Sequence, residues 1–208
     1  MKKTKINLDN FDRKFTYDNF KDFENPFVTI VCEVDITNLV NYTKEHKNFY
    51  HSMNYLVMKA MNNVYNFGYR IVDNEVYHCQ DVGVGLVGLN ENNNIYFYHG
   101  LYTDTLEKFL KQTEENKQLA LKGINNQTEE TLMEIYTSCF PWRKMKALDV
   151  PVTKKQYNPQ VIWDKFETKD GKSTINLFVY AHHSFCDGLH LAQFFDEFEK
   201  LEKNFPNI

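Results

Sequence analysis

The stretch AHHSFCDGLH, Ala181 to His190, places three histidines, Cys186, Asp187 and Gly188 within ten residues. The residues leading into it, Ser173 to His183, alternate. Ile175, Leu177, Val179, Ala181 and His183 share one face, and Asn176, Phe178, Tyr180 and His182 share the other. That period predicts a strand. Beyond Gly188 the spacing changes, and Leu191, Phe194, Phe195, Phe198 and Leu201 form the apolar face of a final helix. The stretch is therefore a strand-to-helix corner, where a sheet fixes a side chain at the lip of a cleft. The two adjacent histidines point to opposite sides of the sheet, so at most one serves a given cleft. An imidazole takes a proton near neutral pH, which makes His183 the candidate base toward a hydroxyl or thiol. Asp187 reads either as the partner of an Arg or as a helix N-cap. Gly188 reads as a turn position where a Cβ would clash, and Cys186 as a small buried hydrophobe. A zinc site drawn from His182, His183, Cys186 and His190 is not expected, because the histidines diverge and the spacing matches no familiar set.

Outward from this corner, Asp170-Gly171 separates the Ser173 strand from another predicted over Val161 to Thr168. PFVTIVCEVDI, residues 26–36, is β-branched and apolar and predicts a strand. Met53, Leu56, Val57, Ala60, Met61 and Val64 predict a helix over Ser52 to Phe67, buried on one face. Asp73-Asn74-Glu75 joins Ile71-Val72 to Val76-Tyr77 as a hairpin. NENNN separates strands over Asp81 to Leu89 and Ile95 to Leu101. Leu106 to Leu121 reads as an amphipathic helix with Gly123 to Thr131 as its exit loop. The sum is an α+β chain with mostly long-range strand pairing and a few packed helices.

With 208 residues and no internal repeat or low-complexity linker, the chain reads as a single domain over residues 1–208. It is 42% hydrophobic and 25% charged, which is globular rather than disordered. The 17 Phe and 13 Tyr argue for large packed surfaces or an aromatic-lined pocket. Lys and Arg number 24 against 28 Asp and Glu, with no basic block, so nucleic acid is not an expected partner. Cys32, Cys79, Cys139 and Cys186 are scattered without a CxxC pair and read as reduced thiols of a cytoplasmic protein. MKKTKINLDNF has no apolar run behind its basic start, so neither a signal peptide nor a membrane span is expected.

HHSFCDG, followed by LH and an aromatic helix, resembles the active-site signature of the chloramphenicol acetyltransferase family. A wider His-His-x-x-x-Asp-Gly pattern occurs across CoA-dependent acyltransferases, so the short motif alone gives a superfamily. Three further stretches narrow it: KINLDNFDRKF from Lys5, NFYHSMNYLVMKAMN from Asn48, and YTSCFPW from Tyr136 to Trp142. They resemble the family's segments in the family's order, across nearly the whole chain.

The resemblance implies the fold of that family, a two-layer mixed β-sheet with packed helices. It implies a homotrimer with active sites between subunits and acetyl-CoA as acyl donor, with no metal. By resemblance, His183 is the general base, Ser138 stabilises the oxyanion, and Asp187 pairs with Arg13 in a structural role. Acceptor contacts carried over are Phe20, Glu24, Tyr96 and Val150. The expected activity is acetylation of chloramphenicol, an antibiotic-resistance function. Some positions depart from the family pattern. Phe20 stands where Tyr is common, Glu24 where a Leu is usual, His51 where a Pro follows Phe-Tyr, and Ile162 near a Thr that supports a water. These departures open a second expectation, the same chemistry on another hydroxyl acceptor. Two others are a trimeric binding homologue without turnover and a Cys-His hydrolase using Cys139 or Cys186.

Overall fold

The computed structural model describes residues 1–124, 127–151 and 157–208. The chain opens with strand β1 (Lys2–Lys5) and helix α1 (Lys14–Phe20), then enters the apolar strand β2 (Phe27–Asp35). Two helices follow, α2 (Thr37–His46) and α3 (Phe49–Asn62). Next come β3 (Tyr69–Val72), β4 (Glu75–Gln80), β5 (Val84–Leu89) and β6 (Ile95–Gly100). Helix α4 (Leu106–Leu121) spans the residues its pattern predicts. The last part holds β7 (Ile135–Cys139), β8 (Gln160–Trp163), β9 (Glu167–Lys169), β10 (Lys172–His182) and α5 (Gly188–Asn204).

Among the described residues the strands form two sheets. The small one runs β1-β4-β3. Its β3–β4 turn is the expected hairpin, with Asp73 and Asn74 at φ 51° and 64°. Positive φ at both central residues matches the twist of the flanking strands. The large sheet runs β2-β10-β8-β7-β5-β6, with β9 also paired to β10. The β5–β7 and β7–β8 pairs are parallel and the others antiparallel, so the sheet is mixed.

Alternation gives this sheet two unlike faces. On the inner face Val34, Leu86, Ile135, Val161, Leu177 and Val179 are buried in one cluster with Leu56 and Ala60 of α3 and Leu191, Phe194 and Phe198 of α5. Each large side chain so buried contributes roughly 1.5–3 kcal/mol. The outer face is partly open, with Val31, Phe97 and Tyr136 exposed. Helix α4 covers the β6 edge, where Asn116 Nδ2 donates to His99 O at 2.9 Å and Gln112 Nε2 to Leu101 O at 2.8 Å. Among the described residues no helix is long and apolar enough to cross a membrane.

Two predicted elements differ from those observed. The helix expected to reach Phe67 ends at Asn62, whose side chain pairs with the backbone of Val82 through two 2.8 Å bonds. The chain then turns through Tyr65–Gly68, where a Cβ on Gly68 would sit 2.5 Å from His78 Nε2. The strand expected over Val161 to Thr168 is split into β8 and β9. Between them the buried Asp164 carboxylate accepts from Asn176 N at 3.0 Å, Asn176 Nδ2 at 2.8 Å and Met145 N at 2.9 Å. A side chain takes over bonds that the ladder would otherwise make.

Candidate active site

Strand β10 stops at His182, whose carbonyl accepts from Phe185 N at 2.9 Å and Cys186 N at 3.0 Å. These bonds wind residues 183–186 into a tight turn. His183 N donates to Pro26 O at 2.7 Å, tying the turn to the start of β2. The His183 side chain is half-buried, and its Nδ1 lies 2.9 Å from Cys186 O. A carbonyl oxygen only accepts, so Nδ1 carries a proton, and in the neutral ring it is Nε2 that holds the lone pair. One face of the ring stacks on Phe20, with centroids 4.2 Å apart and planes 17° from parallel.

Asp187 serves both of its predicted roles. As N-cap of α5 its Oδ1 accepts from Leu189 N at 3.0 Å. Its Oδ2 lies 3.1 Å from Arg13 Nη1 at the start of α1. Partial burial alone would raise the Asp187 pKa, but His190 and Arg13 outweigh it and hold the carboxyl below its ordinary value. His190 Nδ1 accepts from Asp187 N at 3.2 Å and closes the capping box. That nitrogen also lies 2.9 Å from Asp187 Oδ1. Burial holds the His190 pKa down, against the opposing pull of the Asp187 carboxylate. Gly188 departs from its expectation. It is the first residue of α5, and a Cβ there would meet nothing within 4 Å.

The neighbouring His182 faces the other way, 2% exposed among the rings of Phe27, Tyr157 and Phe185. Its Nδ1 accepts from Ser184 N at 3.3 Å, and among the described residues its buried Nε2 has no partner. Burial first, and the adjacent His183 second, push its pKa down to about 4. It is a neutral wall residue. The cysteines are not poised as nucleophiles either. Burial pushes the Cys139 thiol up to about 11 and the Cys186 thiol higher still, opposite to the shift that makes a thiolate.

Ser138 lies elsewhere, on the outer face of β7, lining a cavity of about 660 Å³. Ser138 pairs with Ile162 and Ile162 with Phe178, so two inter-strand steps separate Ser138 from β10. His183 is then five residues further along. At about 3.3 Å per residue and 4.8 Å per strand, Ser138 and His183 of one chain stand roughly 19 Å apart. The candidate residues thus fall into two groups. Arg13, Phe20, His183 and Asp187 gather at the corner. Ser138, Ile162 and Tyr96 border the cavity, although the Tyr96 ring stacks on Tyr98 on the inner side of β6. Glu24, in the bend between α1 and β2, and Val150, half-buried after β7, do not line that cavity.

Among the cavity residues that escaped the sequence reading are His99, Glu134 and Gln160. Glu134 is 1% exposed, and its Oε2 lies 2.7 Å from His99 Nδ1. Burial pushes the Glu134 carboxyl up to about 7 against the opposing pull of His99. The signal was present in the period of two, since Glu134 and Tyr136 fall on the same face as Ser138.

An imidazole fixed through Nδ1, a serine-lined cavity and this mixed sheet fit an acyltransferase. Solved structures that share the fold include two acetyltransferases. One is a chloramphenicol acetyltransferase, with TM-score 0.81, 21% identity and coverage of 96% of this chain and 99% of that one. The other is a probable dihydrolipoamide acetyltransferase from Listeria monocytogenes, with TM-score 0.70, 14% identity and coverage of 100% and 97%. The chain belongs to the chloramphenicol acetyltransferase family, whose model matches residues 1–199. Relatives with that name include one from Campylobacter coli, 24% identical over 97% of this chain and 99% of its own. Chloramphenicol acetyltransferase 3 of Escherichia coli is 22% identical over 97% of each.

Proposed function

We propose that residues 1–208 act as one domain that transfers the acetyl group of acetyl-CoA to a hydroxyl acceptor, in the cytoplasm, as a homotrimer. His183 Nε2 takes the proton from the acceptor hydroxyl as its oxygen attacks the thioester carbonyl carbon. Ser138 Oγ donates a hydrogen bond to the oxyanion that forms, an interaction worth roughly 3–4 kcal/mol in the transition state. When the carbon–sulfur bond breaks, His183 returns its proton to the departing thiolate. The products are an acetyl ester and CoA thiol.

The observation that carries this reading is the His183 Nδ1–Cys186 O bond, which commits Nε2 to accepting a proton. The separation of roughly 19 Å from Ser138 supports a site shared between copies, His183 of one meeting the Ser138 cavity of the next. The test mixes two inactive variants, His183→Ala and Ser138→Ala, by co-expression. In a random trimer about a quarter of the interfaces pair an intact His183 with an intact Ser138. Thiol release should recover to about that fraction of the unmodified rate, given one independent site per interface. No recovery in correctly assembled mixed trimers would reject the shared site.

Chloramphenicol is the acceptor that the relatives' names supply, and acetylating it would confer resistance. The charged and polar wall of the cavity, His99, Glu134 and Gln160, favours a second reading, the same reaction on a different alcohol. Thiol release over a panel of alcohols that includes chloramphenicol separates the two.

A further inference from the structure

The Ser138 cavity has one polar end. Glu134, Tyr136 and Ser138 alternate onto the same face, so the carboxylate lies about 13 Å along the strand from the serine. Glu134 is 1% exposed and Gln160 9% exposed, and both line the cavity. Among the described residues each keeps one buried polar atom, Glu134 Oε1 and Gln160 Nε2, without a hydrogen-bond partner. Orphans of this kind are costly in a folded interior, and more so when the group is charged.

The carboxylate is also built into place. Its Oε2 meets His99 Nδ1 at 2.7 Å. Asn158 Nδ2 donates to Glu134 O at 2.8 Å, and Asn116 Nδ2 to His99 O at 2.9 Å, pinning both backbones. The carboxylate passes close over Gly85, where a Cβ would stand 3.1 Å from Oε2. Among the described residues no Lys or Arg is paired with Glu134. A held carboxylate with an unused oxygen, at the far end of a cavity from the serine, is a receptor for a hydrogen-bond donor, and a cationic one best. Gln160 lies opposite Tyr136 in the β7–β8 register, between the two ends.

We propose that the acceptor is an amino alcohol, its hydroxyl at Ser138 and its amino group about 13 Å away at the Glu134–His99 pair. This rests on reading the Ser138 cavity as the acceptor site. Glu134 takes the ammonium through Oε1, His99 orients the carboxylate, and the aromatic walls hold the intervening carbon chain. Glu134 is then a specificity-determining residue that touches no reacting atom.

The test compares a long-chain amino alcohol with its methyl-terminated analogue of equal length. Thiol release with acetyl-CoA gives kcat/KM for each, and calorimetric titration of the trimer gives affinity without turnover. The expected result is a preference of about tenfold or more for the amino compound, carried mainly by KM and repeated in affinity. Glu134→Gln, nearly isosteric, should bring the ratio of the two compounds close to one. His99→Gln should reduce the ratio while leaving the carboxylate in place. Equal values for the two compounds in the unmodified protein, or an undiminished preference in Glu134→Gln, would overturn the proposal. If neither alcohol releases thiol, the acetyltransferase reading of this cavity fails. The titration then still decides whether Glu134 receives the amine.

Discussion

His183 Nδ1 donates to the backbone carbonyl of Cys186, three residues ahead in the same turn, at 2.9 Å. The ring's tautomer is therefore set by the turn rather than by a distant carboxylate. Whatever holds Cys186 O in place also holds the base. The turn is anchored on one side by Pro26 O and on the other by Asp187, which caps α5 and binds Arg13.

Replacing His183 by Ala should lower kcat by about 10²–10⁴-fold, the range for removal of a positioned general base. Stability should change little, because the side chain is half-buried and its Nδ1 bonds to a carbonyl in its own turn. Thiol release and a thermal melt on the same preparation check this. A variant that melts normally and turns over at the unmodified rate would remove His183 from the chemistry.

Asp187 separates capping from charge. Asn caps a helix as well as Asp, so Asp187→Asn should keep the α5 cap and lose the Arg13 ion pair. Asp187→Ala should lose both and be less stable by about a further 1 kcal/mol. Among the described residues Arg13 Nε and Nη2 are already buried without partners, so either change leaves a poorly compensated guanidinium. Urea midpoints rank the variants, and the expected order is Asp, Asn, Ala. Both should also lower kcat through Cys186 O and His183.

Neither Cys139 nor Cys186 should be needed for turnover, since burial holds both thiols protonated. Cys139→Ala and Cys186→Ala are each expected to retain thiol release within a fewfold. The buried Cys186 variant should lose about 1 kcal/mol of stability for its small cavity. Loss of activity in a folded Cys139→Ala protein would revive a cysteine nucleophile.

The corner itself was legible because its signals are local. The period of two before His183 and the helical spacing after Gly188 need no distant partner. Helix α2 went unread for the opposite reason. Its first amides, Asn38 N and Leu39 N, bond to Glu202 Oε1 at 2.6 and 3.1 Å, from a residue at the far end of the chain. Asp164 likewise breaks a strand only because Met145 and Asn176 come to it. Arg13 and Asp187 were paired by resemblance alone, being 174 residues apart. His99, Glu134 and Gln160 become neighbours only through the β6-β5-β7-β8 order, which a single sequence does not display.

His182 makes a pH prediction whose direction follows from its shift. Its pKa is 6.5 when unperturbed and about 4 in the fold, where burial disfavours the charged ring. Above pH 6.5 the ring is neutral in both states, and the folded state has its full advantage. As pH falls from 6.5 toward 4, the unfolded chain takes a proton that the folded one refuses, and that advantage drains away. The change amounts to roughly 3 kcal/mol at most. Glu134 acts in the reverse sense, its contribution being present below 4.5 and lost as pH rises through about 7. The comparison must therefore be made against His182→Gln, in which only the imidazole is gone. Denaturant unfolding of both proteins between pH 4 and 7.5 should show the unmodified chain losing stability faster on acidification. The difference between the two should change by roughly 3 kcal/mol across the window. Parallel curves would mean that His182 is protonated in the fold as readily as in the unfolded chain. A buried neutral ring beside the base would then be the wrong description.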